Sequence, residues 1–365
     1  MTIFDIAPDY IRAISPYVPG KPVADLAREF GLDEAQIIKL ASNENPRGPS
    51  PRALVAITRA ASELTRYPDG SGFALKAALA ARYRVAADQI VIGNGSNDIL
   101  ELVAHAFLRP GRSAVYAQHS FAVYPLATQA FGAAGLEVSA RDYGHDLTAM
   151  RTAIRSDTSV VWLANPNNPT GTWLPAAEVK AFVASVPPDV LVVLDEAYNE
   201  YLAPEQQADT VSWLAAFPHL ILSRTFSKAY GLAALRVGYG LMHADAAAML
   251  NRVRQPFNVN SLAQAAAIAA LDDSDYVQQS CRLNREGMRQ LEQGFDHLGL
   301  DYIPSHGNFI CVKIGDAARV NLALLQRGII VRPVANYGMP EFLRVTIGTA
   351  AENQRFLDAL GEVLA

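Results

Sequence analysis

The feature that most constrains the fold is a set of short apolar runs in the middle of the chain. The clearest is Val-Leu-Val-Val-Leu at residues 190–194, which is apolar at every position. A strand with this composition is buried on both faces, as the strands of parallel sheets are. Six further predicted strands alternate with amphipathic stretches of helical length; they occupy residues 89–92, 113–117, 135–140, 159–164, 220–222 and 237–242. This order predicts an α/β fold with a mostly parallel seven-stranded sheet flanked by helices.

The pattern changes on both sides of this central region. The first 40 residues are interrupted by prolines and Gly20, and they are predicted to form an arm with one helix at 23–30. After the arm, a loop at 45–51 leads into a helix predicted at 51–64, with proline in its first turn. Beyond residue 258 the pattern indicates a smaller α+β unit; its predicted helices are 261–271, 275–298 and one from 351, and its predicted strands are 309–314, 329–332 and 342–347. We therefore expect an arm at 1–40, a large domain at 41–258 and a small domain at 259–365.

Composition limits which binding partners and which cellular location we expect for the protein. Hydrophobic residues make up 50% of the 365 positions and charged residues 18%, against roughly a quarter charged in ordinary domains, which favours a large core or subunit interface. The net charge of −5 and the lack of a long Lys/Arg run argue against nucleic acid or an anionic membrane as partner. Two cysteines are too few for a disulfide framework or a Cys-rich zinc site, and no metal site is predicted. With no signal-peptide pattern and no apolar stretch of about 20 residues, we expect a soluble cytoplasmic protein.

Four polar segments follow predicted strands, where an open α/β sheet binds its ligands. They are Gly-Asn-Gly-Ser-Asn-Asp at 93–98, Asn-Pro-Asn-Asn-Pro-Thr-Gly at 165–171, Asp-Glu-Ala-Tyr at 195–198 and Ser-Arg-Thr-Phe-Ser-Lys at 223–228, the last followed by Arg236. Taken singly, each has an ordinary structural explanation. Glycine and Asn-Pro segments form turns, an acidic residue caps a helix, and a lysine after a strand is usually a surface residue. Their joint occurrence at four strand ends is what indicates a site.

Together the four segments match the functional groups of pyridoxal 5'-phosphate (PLP). Backbone amides at 95–97, the hydroxyls of Thr225 and Ser227, and Arg236 would hold a phosphate. Asp195 would face a cationic ring nitrogen, Asn168 and Tyr198 would contact a ring oxygen, and Lys228 would react with an aldehyde. Small and apolar residues follow Lys228, and such surroundings lower the pKa of a lysine and make its amine nucleophilic.

These motifs resemble those of the fold-type I PLP-dependent aminotransferases over nearly the whole chain. A closer resemblance to the histidinol-phosphate aminotransferase family rests on Lys-Leu-Ala-Ser-Asn-Glu-Asn-Pro at 39–46, Arg-Tyr-Pro-Asp at 66–69, Gly-Ser-Asn-Asp at 95–98 and Leu-Arg-Val-Thr-Ile-Gly-Thr at 343–349. The resemblance implies a large PLP-binding domain and a smaller C-terminal domain. It also implies exchange of an amino group between L-histidinol phosphate and 2-oxoglutarate, with L-glutamate as product, in histidine biosynthesis.

The resemblance also implies residue roles. Lys228, Asp195 and Tyr198 would be the catalytic residues. The cofactor would be held by Gly95, Ser96, Asn97, Phe121, Asn168, Asp195, Tyr198, Thr225, Ser227, Lys228, Arg236 and Tyr67. Substrate would contact Tyr17, Asn43, Arg332 and Arg344, with Arg344 binding a carboxylate or a phosphate. Because Tyr67 would reach the cofactor of the neighbouring subunit, the resemblance implies a homodimer with shared active sites.

One departure leaves the substrate preference open. Family members often carry Pro-Thr-Tyr where this chain has His119, Ser120 and Phe121. We expect Phe121 to stack on the cofactor ring, which costs the pocket one hydroxyl. Apart from this departure, three alternative functions remain open: an aromatic amino-acid aminotransferase, a PLP-dependent decarboxylase of a phosphorylated amino acid, and a non-catalytic protein that binds a nucleotide or sugar phosphate. The last of these leaves Lys228 and Asp195 without a role.

Overall fold

The computed structural model describes residues 2–17 and 19–365. The N-terminal segment contains three short helices and one short strand: α1 (Ile3–Ile6), α2 (Asp9–Arg12), α3 (Val23–Phe30) and β1 (Ile38–Lys39). The helix predicted at 23–30 is confirmed. It ends at Gly31, whose φ of +65° is the left-handed conformation that commonly closes a helix. Leu26 and Ala27 of α3 are buried, and Leu26 packs with Ala41 and Ile330. The arm is thus packed against the C-terminal part of the chain.

Strands and helices alternate through the central region. They are α4 (Pro51–Ala60), α5 (Phe73–Tyr83), β2 (Ile90–Gly93), α6 (Ser96–Phe107), β3 (Ser113–Ala117), α7 (Val123–Ala130), β4 (Ala134–Val138), α8 (Leu147–Thr152), β5 (Thr158–Ala164), α9 (Ala176–Ser185), β6 (Leu191–Asp195), β7 (Leu220–Thr225), β8 (Gly238–Met242), α10 (Ala244–Val253) and α11 (Ser261–Leu271). The helix predicted at 51–64 is shorter than expected. Ser50 caps α4 by accepting from the Ala53 amide, and after Ala60 the chain tightens into a 3₁₀ turn at Ala61–Glu63.

The seven strands β2 to β8 form one sheet, in the order β2-β8-β7-β6-β5-β3-β4. Strands β7, β6, β5, β3 and β4 are parallel neighbours, and β8 runs antiparallel to both β7 and β2. The predicted α/β class and mostly parallel sheet are confirmed. Strand β7 is longer than predicted because its polar residues 223–225 still pair with β8, although the apolar run ends at Leu222.

Two apolar layers cover the faces of this sheet. One includes Val192 and Leu194 of β6 with helices α4, α5 and α11, and the other includes Val193 with α6, α7 and α10. Helix α11 therefore packs on the large domain, through buried alanines such as Ala263 and Ala267. The domain limits 41–258 and 259–365 remain predictions, and this packing favours a boundary after Leu271.

The C-terminal region is built on a small antiparallel sheet. Its elements are α12 (Ser274–His297), β9 (Tyr302–Ile303), β10 (Phe309–Lys313), α13 (Ala317–Gln326), β11 (Ile329–Ile330), β12 (Arg332–Pro333), β13 (Phe342–Thr346) and α14 (Ala350–Leu364). The sheet has the order β12-β13-β10-β9, whereas β11 pairs in parallel with β1. The prediction of one strand at 329–332 is therefore wrong. The chain changes sheets at Val331, and the unbroken apolar run hides that change. No helix in the described part of the chain is long and apolar enough to cross a membrane.

Candidate active site

One cavity collects the predicted site residues beyond the carboxyl ends of the parallel strands. Every predicted site residue except Gly95 and Tyr67 lines it. Its volume is about 200 Å³, or about 900 Å³ when the space open to solvent at its mouth is included. The small sheet closes one end with Arg332 and Arg344, and the large sheet forms the other end. The chain thus builds a single site from two sheets.

Asp195 is the last residue of β6 and is 6% exposed. Its Oδ2 accepts a hydrogen bond from the Tyr124 hydroxyl at 2.9 Å, and its Oδ1 accepts one from the Ala197 amide at 3.2 Å. Burial raises the pKa of Asp195 to about 6, although both hydrogen bonds and the nearby charge of Lys228 act to lower it. The carboxylate is therefore mostly ionised at neutral pH, and it can pair with a cationic ring nitrogen.

Lys228 follows β7 by three residues, and its side chain is partly buried. Its Nζ donates to the Ser42 carbonyl oxygen at 3.2 Å. Burial, followed by the positive charge of Arg344, lowers the pKa of Lys228 to about 8. A lysine with this pKa supplies a far larger fraction of neutral amine near pH 7 than an exposed lysine does. That is the property required of a nucleophile or proton carrier.

Tyr198 and Asn168, which are predicted to contact a ring oxygen, both line the cavity. The Tyr198 hydroxyl accepts from Asn43 Nδ2 at 2.9 Å, and burial raises the pKa of Tyr198 so that the phenol keeps its proton. Asn168 Oδ1 accepts from Arg344 Nη1 at 2.6 Å. Because that oxygen is engaged, the amide nitrogen of Asn168 is the group with donors for a ligand. Tyr198 and Asn168 can therefore both donate to one anionic oxygen.

The opposite edge of the cavity fits a phosphate. Gly95, with φ of +87°, precedes helix α6, whose first residues are Ser96 and Asn97. A Cβ at Gly95 would lie 2.4 Å from Arg236 Nη2. Any residue other than glycine would therefore displace the Arg236 guanidinium. Arg236 Nη1 donates to Ser227 Oγ at 3.4 Å. A helix start, hydroxyls and a guanidinium are the donors that hold a phosphate dianion.

Two arginines define the end of the cavity that belongs to the small sheet. Arg332 of β12 and Arg344 of β13 are directly paired in the antiparallel register, and they are 7% and 6% exposed. Arg344 also donates to the Ala41 carbonyl oxygen at 2.7 Å, while its buried Nε has no hydrogen-bond partner among the described residues. The Arg332 guanidinium lies 5.4 Å from the centre of the Tyr17 ring. Like charges placed directly opposite each other are destabilising, so this pair is suited to binding an anion.

Phe121 and Tyr67 differ in their positions. Phe121 lies on the cavity and meets the Tyr124 ring edge-on, with centroids 5.8 Å apart. Tyr67 lies outside the cavity of its own chain, is 82% exposed and stacks on Phe257 at 4.8 Å. The stacking of Phe121 on a cofactor and the role of Tyr67 in a neighbouring subunit remain predictions.

Sequence reasoning missed Tyr124 and Tyr337, which also line the cavity. Tyr124 lies in the apolar helix α7 and Tyr337 in a short turn, so neither has a motif that separates it from a core tyrosine. Only the three-residue spacing between Phe121 and Tyr124 suggests a shared face. Within residues 2–17 and 19–365, no cluster of three or more His, Cys, Asp or Glu could hold a metal ion. Cys281 and Cys311 are buried free thiols.

Comparison with known proteins agrees with this geometry. Residues 35–360 match the family model for aminotransferases of class I and II. Histidinol-phosphate aminotransferase 1 of Thiobacillus denitrificans is 64% identical over 98% of this chain and 94% of its own length. Histidinol-phosphate aminotransferase 2 of Nitrosospira multiformis is 59% identical over 100% and 93%. The crystal structure of histidinol-phosphate aminotransferase from Sinorhizobium meliloti in complex with pyridoxal-5'-phosphate superposes with a TM-score of 0.91 at 31% identity, covering 100% of this chain and 98% of that one. The chain belongs to the class I and II aminotransferase family.

Proposed function

We propose that this chain is a PLP-dependent histidinol-phosphate aminotransferase of histidine biosynthesis. It would transfer the amino group of L-histidinol phosphate to 2-oxoglutarate, giving imidazole acetol phosphate and L-glutamate. The observation that carries the proposal is the joining, in one cavity, of a PLP-type donor set to the buried pair Arg332 and Arg344. The names of relatives at 59–64% identity support the same activity.

The end of the cavity formed by the large sheet, called here the large-domain end, would hold the cofactor. Bound PLP supplies an aldehyde and an electron-withdrawing ring that stabilises negative charge at the substrate Cα. Lys228 would anchor it covalently through Nζ and, once released, would carry the proton taken from the substrate Cα. Asp195 would face the ring nitrogen, while Tyr198 and Asn168 would donate to the ring oxygen. The phosphate would be held by Ser96, Asn97, Thr225, Ser227 and Arg236.

The end of the cavity formed by the small sheet, called here the small-domain end, would recognise both substrates. L-Histidinol phosphate carries a phosphate and no α-carboxylate, whereas 2-oxoglutarate carries two carboxylates. Arginine forms two-pronged hydrogen bonds with either kind of anion. Arg344 would therefore bind each substrate in turn, assisted by Arg332, while Tyr17 and Asn43 complete the wall of the pocket.

We further infer that the working unit is a homodimer with shared active sites. The edge of the cavity proposed to hold the phosphate is open to solvent in the single chain, since Asn97 and Arg236 are exposed there. Tyr67 lies outside the cavity of its own chain and is free to contact a second chain. A second copy that placed its Tyr67 over this edge would supply a further donor and exclude water. A cytoplasmic location, expected from the sequence, is part of the same proposal.

Product analysis tests the reaction class. Purified, PLP-loaded protein supplied with L-histidinol phosphate and 2-oxoglutarate should release L-glutamate and imidazole acetol phosphate in equal amounts. It should also release no carbon dioxide from a phosphorylated amino acid when the keto acid is omitted. A protein that produces carbon dioxide in that second reaction, and no glutamate in the first, would be a decarboxylase.

An aromatic amino-acid aminotransferase is the second candidate. Three aromatic side chains besides Tyr198 and Tyr124 line the cavity, namely Tyr17, Phe121 and Tyr337. A phenylalanine or tyrosine substrate shares with histidinol phosphate a flat ring at one end and an anion at the other. The same cavity can therefore admit both, and the two activities are distinguished by their relative efficiencies.

A further inference from the structure

Tyr124 is a buried residue of the cavity wall that belongs neither to the proposed cofactor contacts nor to the proposed substrate contacts. It lies in α7 and has no exposed surface. Its hydroxyl donates to Oδ2 of Asp195 at 2.9 Å, while the Ala197 amide donates to Oδ1 at 3.2 Å. The carboxylate is therefore held through both of its oxygens, one by the backbone and one by this phenol.

The Tyr124 ring is fixed by its own neighbours. It stacks on Trp162 with ring centroids 5.6 Å apart and the planes 2° from parallel, and Phe121 meets it edge-on at 5.8 Å. Trp162 is in turn held by a hydrogen bond from its Nε1 to Thr128 Oγ1 at 3.1 Å. The phenol is consequently preorganised towards Asp195, so forming its hydrogen bond costs little side-chain entropy.

The Asp195 carboxylate needs such a donor because its surroundings disfavour its charge. Burial raises the pKa of Asp195, and Glu196, the next residue in the chain, acts in the same direction. The groups that oppose them are Tyr124 from α7, the Ala197 amide and Lys228 after β7. Tyr198 also faces the carboxylate and is protonated. The resulting pKa of about 6 leaves a narrow margin below neutral pH.

We infer that Tyr124 is a positioning residue that keeps the Asp195 carboxylate ionised and aimed into the cavity, and that it acts on the reaction only through Asp195. The inference rests on the proposed PLP chemistry, in which Asp195 faces the ring nitrogen. Loss of the phenol would raise the basicity of the carboxylate. The proton shared by Asp195 and the ring nitrogen would then move towards Asp195, and the ring would withdraw fewer electrons.

The test is Tyr124→Phe, which keeps the aromatic stacking and removes the hydroxyl. The readout is nitrogen NMR of holoenzyme loaded with PLP labelled at the ring nitrogen, at neutral pH. The resonance should move towards that of unprotonated pyridine, and kcat should fall about tenfold, as expected for loss of a hydrogen bond to a charged group. Tyr239→Phe is the matched control. It removes a tyrosine hydroxyl buried in the apolar layer on the other face of the same sheet, where it contacts Tyr83 Oη at 2.7 Å, and it should leave both readouts at their wild-type values.

A double-mutant cycle separates positioning from a merely structural role. Combined with Asp195→Asn, the Tyr124→Phe change should cause no further loss of kcat, because the group it acts through is gone. Additive losses, or an unmoved ring-nitrogen resonance in the single variant, would overturn the inference. If Tyr124→Phe does not fold, 3-fluorotyrosine at position 124 replaces it, and this more acidic phenol should move the resonance in the opposite direction. Failure of wild-type protein to convert histidinol phosphate would instead refute the proposed function, since the NMR readout requires only bound PLP.

Discussion

The two ends of the cavity use charge in opposite ways. At the large-domain end, single ionisable groups are buried beside the parallel sheet, and burial moves the pKa of Asp195 up to about 6 and that of Lys228 down to about 8. At the small-domain end, two arginines are placed directly opposite each other in neighbouring antiparallel strands. The first end adjusts proton affinity, as chemistry requires, and the second presents fixed positive charge, as recognition of an anion requires.

Substitutions at the two ends of the cavity should therefore change different properties of the protein. A substitution at the large-domain end alters the protonation state of Asp195 or Lys228, on which the reaction of every substrate depends. A change at the small-domain end alters which anion is bound and how firmly. The two ends are also coupled, because the charge of Arg344 helps to lower the pKa of Lys228.

Replacing Lys228 should have the largest effect. Lys228→Ala removes both the anchoring amine and the proton carrier, and we expect kcat to fall at least about a thousandfold. Lys228→Arg is the matched control, since it keeps the positive charge but cannot form the covalent link. Both variants should lack the visible absorbance of lysine-bound PLP while remaining folded. Wild-type turnover in either variant would contradict the role of Lys228.

Replacing Arg344 should have the next largest effect. Arg344→Gln should lower kcat/KM about a hundredfold in both half-reactions, because each substrate loses a two-pronged, charge-assisted contact. Arg344→Lys, which retains charge without the two-pronged geometry, should recover only part of this loss. Single-turnover rates measured with L-histidinol phosphate and then with 2-oxoglutarate check the prediction. An effect confined to one half-reaction would mean that the two anions bind at different places.

The pH dependence of cofactor attachment should reveal the coupling between the ends. Only neutral Lys228 can attack the aldehyde, so the rate of PLP attachment to cofactor-free protein should rise with pH through about 8. Arg344→Gln removes a charge that lowers the pKa of Lys228, so its inflection should move to higher pH. Asp195→Asn removes a charge that raises this pKa, so its inflection should move to lower pH. A wild-type inflection near 10.5, the ordinary lysine value, would show that burial does not perturb this amine.

Phe121→Tyr should have the smallest effect. The substitution introduces the tyrosine that family members often carry at this position. It adds a hydroxyl and leaves the aromatic face available for stacking unchanged. We expect PLP affinity to stay within about twofold of wild type, with a modest change in the ratio of kcat/KM between substrates. Fluorescence titration of PLP and paired kinetic assays measure the two quantities. A large loss of cofactor affinity would show that Phe121 packs in a way that excludes a hydroxyl.

Sequence patterns predicted the large-domain end more completely than the small-domain end. Asp195 directly follows the apolar run of β6, and Lys228 comes three residues after the end of β7. The carboxyl ends of such parallel strands converge. Arg332 and Arg344 entered the prediction only through family resemblance. Their direct pairing depends on the register between β12 and β13, and the change of sheet at Val331 that sets this register lies within an unbroken apolar run.

Two further features lay beyond sequence reasoning for different reasons. Tyr124 reaches Asp195 because α7 packs over β3 and β4, which lets its ring stack on Trp162 of β5, and no local pattern encodes that long-range contact. Helix α11 has many alanines and little amphipathic character, so the side on which it packs could not be read from the sequence. In both cases the determining information is tertiary packing.

The proposed activity is best tested by comparing kcat/KM for L-histidinol phosphate and L-phenylalanine, with 2-oxoglutarate as acceptor, on the PLP-loaded wild-type protein. From the proposed function we expect a preference for histidinol phosphate of about a hundredfold, equivalent to about 2.7 kcal/mol of transition-state discrimination. Comparable values, or a preference for phenylalanine, would contradict it and identify the chain as an aromatic amino-acid aminotransferase.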